Sequence, residues 1–286
     1  MALKYAYHPG NVAHSSATEV SQTMETASRS LGIELIPMKG ATSCGAGIIR
    51  QANDILQITL NARNFAIAES MGVDIISPCA ATAGNLHEDL TRLKGDPLLL
   101  AKTNDVLQRT CGLTLEGGIS VHHLLHVVVD EVGLDKVEAK LRNPMQFRIA
   151  GFYGPNIQQH GASGGDDVFD PNYLEQLIES LGGEPVSWES RTQSVGVPGL
   201  FSEEPTVLKQ VASVIGDAKS ERAEMIVSAC TLSHTVLDIY QGKANRSTGI
   251  PTNIPVIHLT ELLSFAFGHH NNRLAQLKTR VAVIGD

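Results

Sequence analysis

Two cysteine-bearing segments recur 151 residues apart, and this doubling constrains the chain more than any other feature. Met71–Thr82 (MGVDIISPCAAT) resembles Ala223–Ser233 (AEMIVSACTLS), with Cys79 matched to Cys230. The same offset pairs Ile75-Ile76 with Ile226-Val227, and Ser43-Cys44-Gly45 with Ser194-Val195-Gly196. Leu31–Glu34 matches Leu181–Glu184 at an offset of 150. Tyr7–Asn11 echoes Phe152–Asn156 at about 145, and Val121–Leu124 echoes Val256–Leu259 at 135. Matches in one order with slowly drifting offsets predict two repeats, residues 1–145 and 146–286. The first carries about 16 extra residues between Leu86 and Val121.

Within each repeat the pattern alternates strands and helices. Leu3–His8 and Phe147–Tyr153 are short apolar runs suited to buried strands. Ser16–Glu19 has capping-box spacing, with Val20, Met24, Ala27 and Leu31 following at helical intervals and Gly32 as a stop. Asp170-Pro171 predicts the start of the matching helix, striped by Leu174, Leu177 and Leu181. Ile33–Pro37 and Pro185–Glu189 read as second strands, and Val73–Ser77 and Met225–Ser228 as third strands. Helices are expected over 49–71 and 203–222. The result is an α/β fold of two pseudo-symmetric repeats, each a parallel sheet covered by helices.

Composition narrows the function classes. The 286 residues carry a formal charge of −8, which argues against a broad basic face for nucleic acid. With 42% hydrophobic and 18% charged residues, the chain is expected to fold rather than stay disordered. No apolar run is long enough for a membrane span, and no secretory signal is expected at the N-terminus. Four cysteines are too few for a disulfide scaffold, so a reducing, cytoplasmic setting is expected.

In parallel α/β sheets, ligands bind beyond the carboxyl ends of the strands. Asn11 follows the first strand, Ser43 and Cys44 lie in the second loop, and Cys79 and Thr82 follow the third. These five are expected around one cavity. Pro155, Ser194, Val195, Cys230 and Ser233 are expected around a second.

Four stretches carry a resemblance to a known family: Thr42–Gly47 (TSCGAG), Ala62–Cys79 (ARNFAIAESMGVDIISPC), Ser228–His234 (SACTLSH) and Ile254–Gly268 (IPVIHLTELLSFAFG). Their order and spacing resemble the B subunit of heterodisulfide reductase, a cysteine-rich-domain (CCG) protein. Relatives of that family include a component of an unusual succinate dehydrogenase and components of lactate and glycerol-3-phosphate oxidation systems. The resemblance implies an oxidoreductase complex. It also implies, in each half, a cysteine after the first strand, a Cys-Cys-Gly loop and a Cys-x-x-Cys after the third strand. Five such cysteines hold a non-cubane iron–sulfur cluster, or in some members zinc.

Here the first-half positions fall on Asn11, Ser43, Cys44, Cys79 and Thr82, so two of five are cysteine. The second-half positions fall on Pro155, Ser194, Val195, Cys230 and Ser233, so one is. Clusters are normally held by about four thiolates, so no cofactor is expected in the second half. A first-half cluster or zinc requires Cys44 and Cys79 to recruit a further ligand such as His8 or Asn11. The resemblance therefore points to a subunit of a multi-subunit redox complex, retained for assembly or docking beside flavoprotein or iron–sulfur subunits. Such a chain is cytoplasmic and meets a membrane only through its partners. The alternatives are a thiol or iron–sulfur electron carrier using Cys44 and Cys79, and a small-molecule-binding module that reuses the emptied cavities.

Other residues invite blander readings. Cys230 packs as a small apolar residue, and Cys111, outside both loop sets, has a structural role. His122, His123 and His126 have ligand-like spacing on a predicted helix, although His123 and His258 are repeat equivalents with a shared helix-start role. His234 suits a polar site or a cap. His269 and His270 lie in a solvated helix end before Asn271 and Asn272. Gly161–Gly165 is a flexible excursion, and Thr42–Gly47 is a weak anion cradle.

Overall fold

The computed structural model describes residues 3–13, 15–157 and 164–269. Gly161, Ala162 and Ser163 of the glycine-rich excursion, and His270, Asn271 and Asn272, lie outside the described residues.

The first half runs β1 (Leu3–Tyr7), α1 (Thr18–Leu31), β2 (Ile33–Pro37), α2 (Ile48–Ala52), α3 (Asp54–Ser70), β3 (Ile75–Ser77), α4 (Ala80–Gly95), α5 (Pro97–Cys111), β4 (Val121–His123), α6 (Leu124–His126) and α7 (Leu134–Glu138). The second runs β5 (Arg148–Phe152), α8 (Tyr173–Ser180), β6 (Glu184–Pro185), α9 (Glu204–Ser220), β7 (Met225–Ser228), α10 (Thr231–Thr248), β8 (Val256–His258) and α11 (Leu259–Ala266). The strand orders are β2-β1-β3-β4 and β6-β5-β7-β8, with every pair parallel. The two halves thus repeat one α/β topology.

Strand alternation divides the core. Tyr5 and Ile76 point into a shared apolar layer, which also holds Met24, Leu125, Ile149, Leu177, Met225 and Leu262. Their neighbours Ala6 and Ile75 point the other way and pack with Ile58, Phe65 and Leu86. In the second half, Ala150 and Ile226 pack away from the seam with Trp188, Val211 and Val256. Each fully buried side chain of this kind contributes about 1.5–3 kcal/mol, so the shared layer welds the halves together.

Several boundaries depart from the sequence reading. The helix expected over 49–71 is broken at Asn53, which is extended (φ −157°) and caps α3 by accepting the Leu56 N–H. Ser16–Glu19 forms no side-chain cap, since the N-cap residue is Ala17. Helix α8 starts at Tyr173 rather than at Pro171. There the Asp166 carboxylate accepts the N–H groups of Asn172 and Tyr173, while Asp170 pairs with Arg191. Strand β6 is only two residues long because the chain turns Trp188 inward, where its Nε1–H donates to the Gly151 carbonyl. Strands β4 and β8 go beyond the sequence reading. Each is three residues long and runs straight into a helix, so its apolar pattern merges with the helical one.

Gly84 sets the distance between the halves. A Cβ added there would lie 2.6 Å from the Asn156 carbonyl oxygen. Alanine is the better helix former by about 1 kcal/mol. Gly84→Ala should nevertheless lower the unfolding free energy by about 1–3 kcal/mol, because backbone cannot move aside as a side chain can. Urea unfolding measures this, and a stabilised variant would show that the seam yields.

Candidate functional site

Helices α4 and α10 begin at the carboxyl ends of β3 and β7, and Cys79 and Cys230 are their N-cap residues. Both cysteines are extended, at φ −107° and −133°. The two helix starts converge at the seam, so the two Sγ atoms meet at 4.0 Å, both buried. Residues near a pseudo-twofold axis meet their own equivalents. A helix N-terminus carries partial positive charge, which favours a thiolate.

Burial works against charge on Cys79. The Cys230 thiol at 4.0 Å and the neighbouring Thr231 and Thr82 hydroxyl dipoles outweigh it and bring the pKa down to about 5. Cys230 moves the opposite way, raised by its hydrogen bond to Cys79, by burial and by the Cys79 charge. The two shifts run in opposite directions, so Cys79 is the more acidic partner of the pair. Gly10 (φ +92°) makes the close packing possible, because a Cβ there would sit 3.0 Å from Cys79 Cβ.

Reciprocal histidines fasten this arrangement. His123 and His258 cap α6 and α11, each with Nδ1 accepting the N–H two residues on. That leaves Nε2–H as a donor. His123 reaches across to the Ala229 carbonyl at 2.8 Å, and His258 to the Pro78 carbonyl at 3.1 Å. Each half's histidine thus holds the carbonyl that precedes the other half's cysteine. Burial, with His126 nearby, lowers the His123 pKa to about 3 and keeps the ring neutral. The shared helix-start role expected of this pair is present, and the grip across the seam is an addition. His122, His123 and His126 do not converge on one point, because β4 sends adjacent residues to opposite faces. His122 faces Asp74 and Glu131 instead.

Cys44 lies behind the pair. Its thiol contacts Thr82 Oγ1 at 3.5 Å, and Asn11 Nδ2 donates to its sulfur at 3.3 Å. Burial raises its pKa. Ser43 donates to Asn11 Oδ1. The N–H groups of Gly45 and Ala46 are taken by Ser43 Oγ and Cys44 Sγ, which uses up the anion cradle expected at this loop. His8 braces the loop by contacts to the Gly10 N–H and the Thr42 carbonyl. Cys111 is exposed at the end of α5 and His269 pairs with Ser30, both away from the thiols.

The expected pairing of Cys44 with Cys79 is thus indirect, through Thr82, and the direct partner of Cys79 is Cys230. The two expected cavities are also differently arranged. One cavity of about 480 Å³ spans the seam and is lined by Asn11 and Ser43 together with Pro155, Ser194, Val195, Cys230 and Ser233, and a second of about 460 Å³ in the first half is lined by Asn11 and Ser43 with His8 and Gly10. Cys44, Cys79 and Thr82 lie outside both linings. The residues that the sequence left unremarked are Thr231, whose buried hydroxyl lies beside Gly10, and Gly10 itself. The 151-residue offset held the signal for the Cys79–Cys230 contact.

This donor set does not fit an iron–sulfur cluster. Three thiols occupy ten loop positions, and two of them are already in mutual contact. Among the described residues, no third His, Cys or carboxylate closes a metal-ligand set around Cys44 and Cys79.

Residues 5–86 match the family model described as "Cysteine-rich domain". The chain is 27% identical over 275 residues to the 8-methylmenaquinol:fumarate reductase membrane anchor subunit of Wolinella succinogenes, covering 94% of this chain and 93% of that protein. It is 25% identical over 248 residues to the B subunit of the ferredoxin/F(420)H(2)-dependent CoB-CoM heterodisulfide reductase of Methanosarcina acetivorans, covering 85% and 82%. A protein of Archaeoglobus profundus named as like the heterodisulfide reductase B subunit is 26% identical over 282 residues, covering 96% and 93%. A hypothetical protein from Helicobacter pylori shares the fold, with a TM-score of 0.73 at 17% identity, over 98% of this chain and 52% of that one. By its doubled scaffold, its loops and its near full-length relatives, the chain is similar to heterodisulfide reductase B subunits over most of its length, and residues 5–86 match the cysteine-rich domain.

Proposed function

We propose that this chain is a subunit of a multi-subunit redox complex that works without an iron–sulfur cluster of its own and serves assembly and docking. The observation that carries this reading is the loop set itself. All six loops still converge on the seam, yet Asn11, Ser43, Thr82, Pro155, Ser194, Val195 and Ser233 stand where the family's ligands would be. Near full-length similarity to subunits of redox complexes supports the partner class, flavoprotein or iron–sulfur subunits. No helix among the described residues is long and apolar enough to cross a membrane. The reading places the chain in the cytoplasm and leaves any membrane contact to its partners.

Native purification should bring down at least one flavoprotein or iron–sulfur subunit. The separated chain, prepared anaerobically, should hold well under one iron per molecule. A chain that copurifies with no redox protein would sink the assembly reading, and a stoichiometric cluster would sink the cluster-free one.

The Cys79–Cys230 contact favours a second reading, in which the seam carries two electrons as a dithiol–disulfide couple. Forming the Cys79–Cys230 disulfide would release two electrons to a redox partner and the thiol protons to solvent, and a thiolate at Cys79 would speed the step.

A further inference from the structure

His234 lies one helical turn beyond Cys230 in α10 and is 1% exposed. Its Nε2 is 3.1 Å from Glu19 Oε1 and 3.9 Å from Glu261 Oε2. One donor atom from each of the three side chains lies within 4.8 Å of the others. The three residues come from three helices. Glu19 belongs to the first turn of α1 in the first half, while His234 and Glu261 belong to α10 and α11 in the second.

Zinc with arms of about 2.0–2.2 Å to nitrogen and oxygen sets tetrahedral edges of about 3.3–3.6 Å. The two separations from His234 Nε2, 3.1 and 3.9 Å, bracket that range, and the two carboxylates lie within 4.8 Å of each other. A protonated imidazole offers its Nε2–H to one carboxylate at a time, whereas a divalent ion engages both carboxylates and the ring together. Glu261 is held in place by accepting the His258 N–H at 2.7 Å. A carboxylate has about four lone-pair sites, so it can keep that bond and still ligate. The His258 ring packs edge-on against His234 at 5.8 Å, which restricts the orientation of the ligand ring. Glu261 is fully buried, and Glu19, at 13% exposure, gives the ion a way in.

We propose that Glu19, His234 and Glu261 form a binding site for a divalent first-row metal ion, best matched by zinc, which ties α1 to α10 and α11 across the seam. One imidazole with two carboxylates is a borderline-to-hard donor set that suits such an ion. It is also separate from the three thiols, which would select a softer ion.

The test uses the full chain, freed of metal by chelation and titrated with zinc chloride. One zinc per chain should survive gel filtration and raise the thermal midpoint. Glu19→Gln and His234→Gln should each weaken zinc binding at least about tenfold. The Cys44→Ser, Cys79→Ser, Cys230→Ser triple variant should keep its zinc. With cobalt(II) in place of zinc, the unaltered chain should show visible d–d bands but no thiolate-to-cobalt charge-transfer band. That spectrum decides the matter even if a buried variant fails to fold. Folded chain that retains no zinc, Glu19→Gln with unchanged affinity, or a thiolate charge-transfer band would each overturn the site.

Discussion

Replacing Asp89 with alanine should lower the unfolding free energy by about 3–5 kcal/mol. Asp89 is fully buried on α4 and accepts hydrogen bonds from Arg50 Nη2 at 2.7 Å, Gln57 Nε2 at 3.2 Å and Asn61 Nδ2 at 2.6 Å. These donors lie on α2 and α3, so one carboxylate ties both helices to α4. Asn61 also donates to the Cys44 carbonyl at 3.2 Å, and Gln57 Oε1 accepts the Arg50 N–H. Truncation leaves two buried amides and a half-buried guanidinium short of an acceptor. Arg50 keeps Glu88, which places the loss toward the lower end of the range. Urea unfolding gives the energy, and faster alkylation of Cys44 in the folded variant reports the loosened loop. Asp89→Asn, which keeps one acceptor, should fall between. A loss under about 1 kcal/mol would mean that the carboxylate does not anchor this loop.

Between pH 7 and 9 the unaltered chain should gain about 2 kcal/mol of stability relative to Cys79→Ser. This follows from one proton at about 1.4 kcal/mol per pH unit, flattening near the unfolded pKa. The folded pKa of Cys79, about 5, lies below its unfolded value near 9. The unfolded chain therefore binds about one more proton at pH 7, falling to about half a proton at pH 9, and stability rises with pH. The contribution is complete above the unfolded pKa and is lost as pH falls toward 5. Cys230, shifted upward, stays protonated in the folded chain across the window, and its ionisation in the unfolded chain trims the gain by under about 1 kcal/mol near pH 9. His123, held neutral by burial, destabilises the fold only below its unfolded value of 6.5, which leaves the window clean. Unfolding under reducing conditions at the two pH values provides the measurement. A profile no steeper than that of Cys79→Ser would remove the thiolate.

The doubling is legible because its marks are local: strand, loop and cysteine recur together, as at Ile75–Cys79 and Ile226–Cys230. The buried strands are legible too, since Met225–Ser228 is an unbroken buried run in a sheet covered on both faces. Chain spacing marks Cys79 and Cys230 as equivalents but does not reveal that they lie on the axis, so the expected thiol pair is Cys44 with Cys79. The spacing of His122, His123 and His126 suggests ligands only if all three ride one helix, and β4 removes that premise. Asn53 shows the same limit at shorter range. Its side chain competes with the helix for an N–H, which periodicity over 49–71 does not register.

The exchanged histidines bear on how such a chain can be cut. Because His123 grips the second half's Ala229 and His258 the first half's Pro78, neither half closes its own cysteine loop. The exchange obeys the rule of a symmetric homodimer, in which one patch meets its own copy about a twofold axis. Either half expressed alone would present an unfilled carbonyl, an unsated histidine and a bare apolar layer. Fusion into one polypeptide fixes the partner at a high effective concentration. It also frees the two copies to diverge, so one half can keep Cys44 while its counterpart holds Val195.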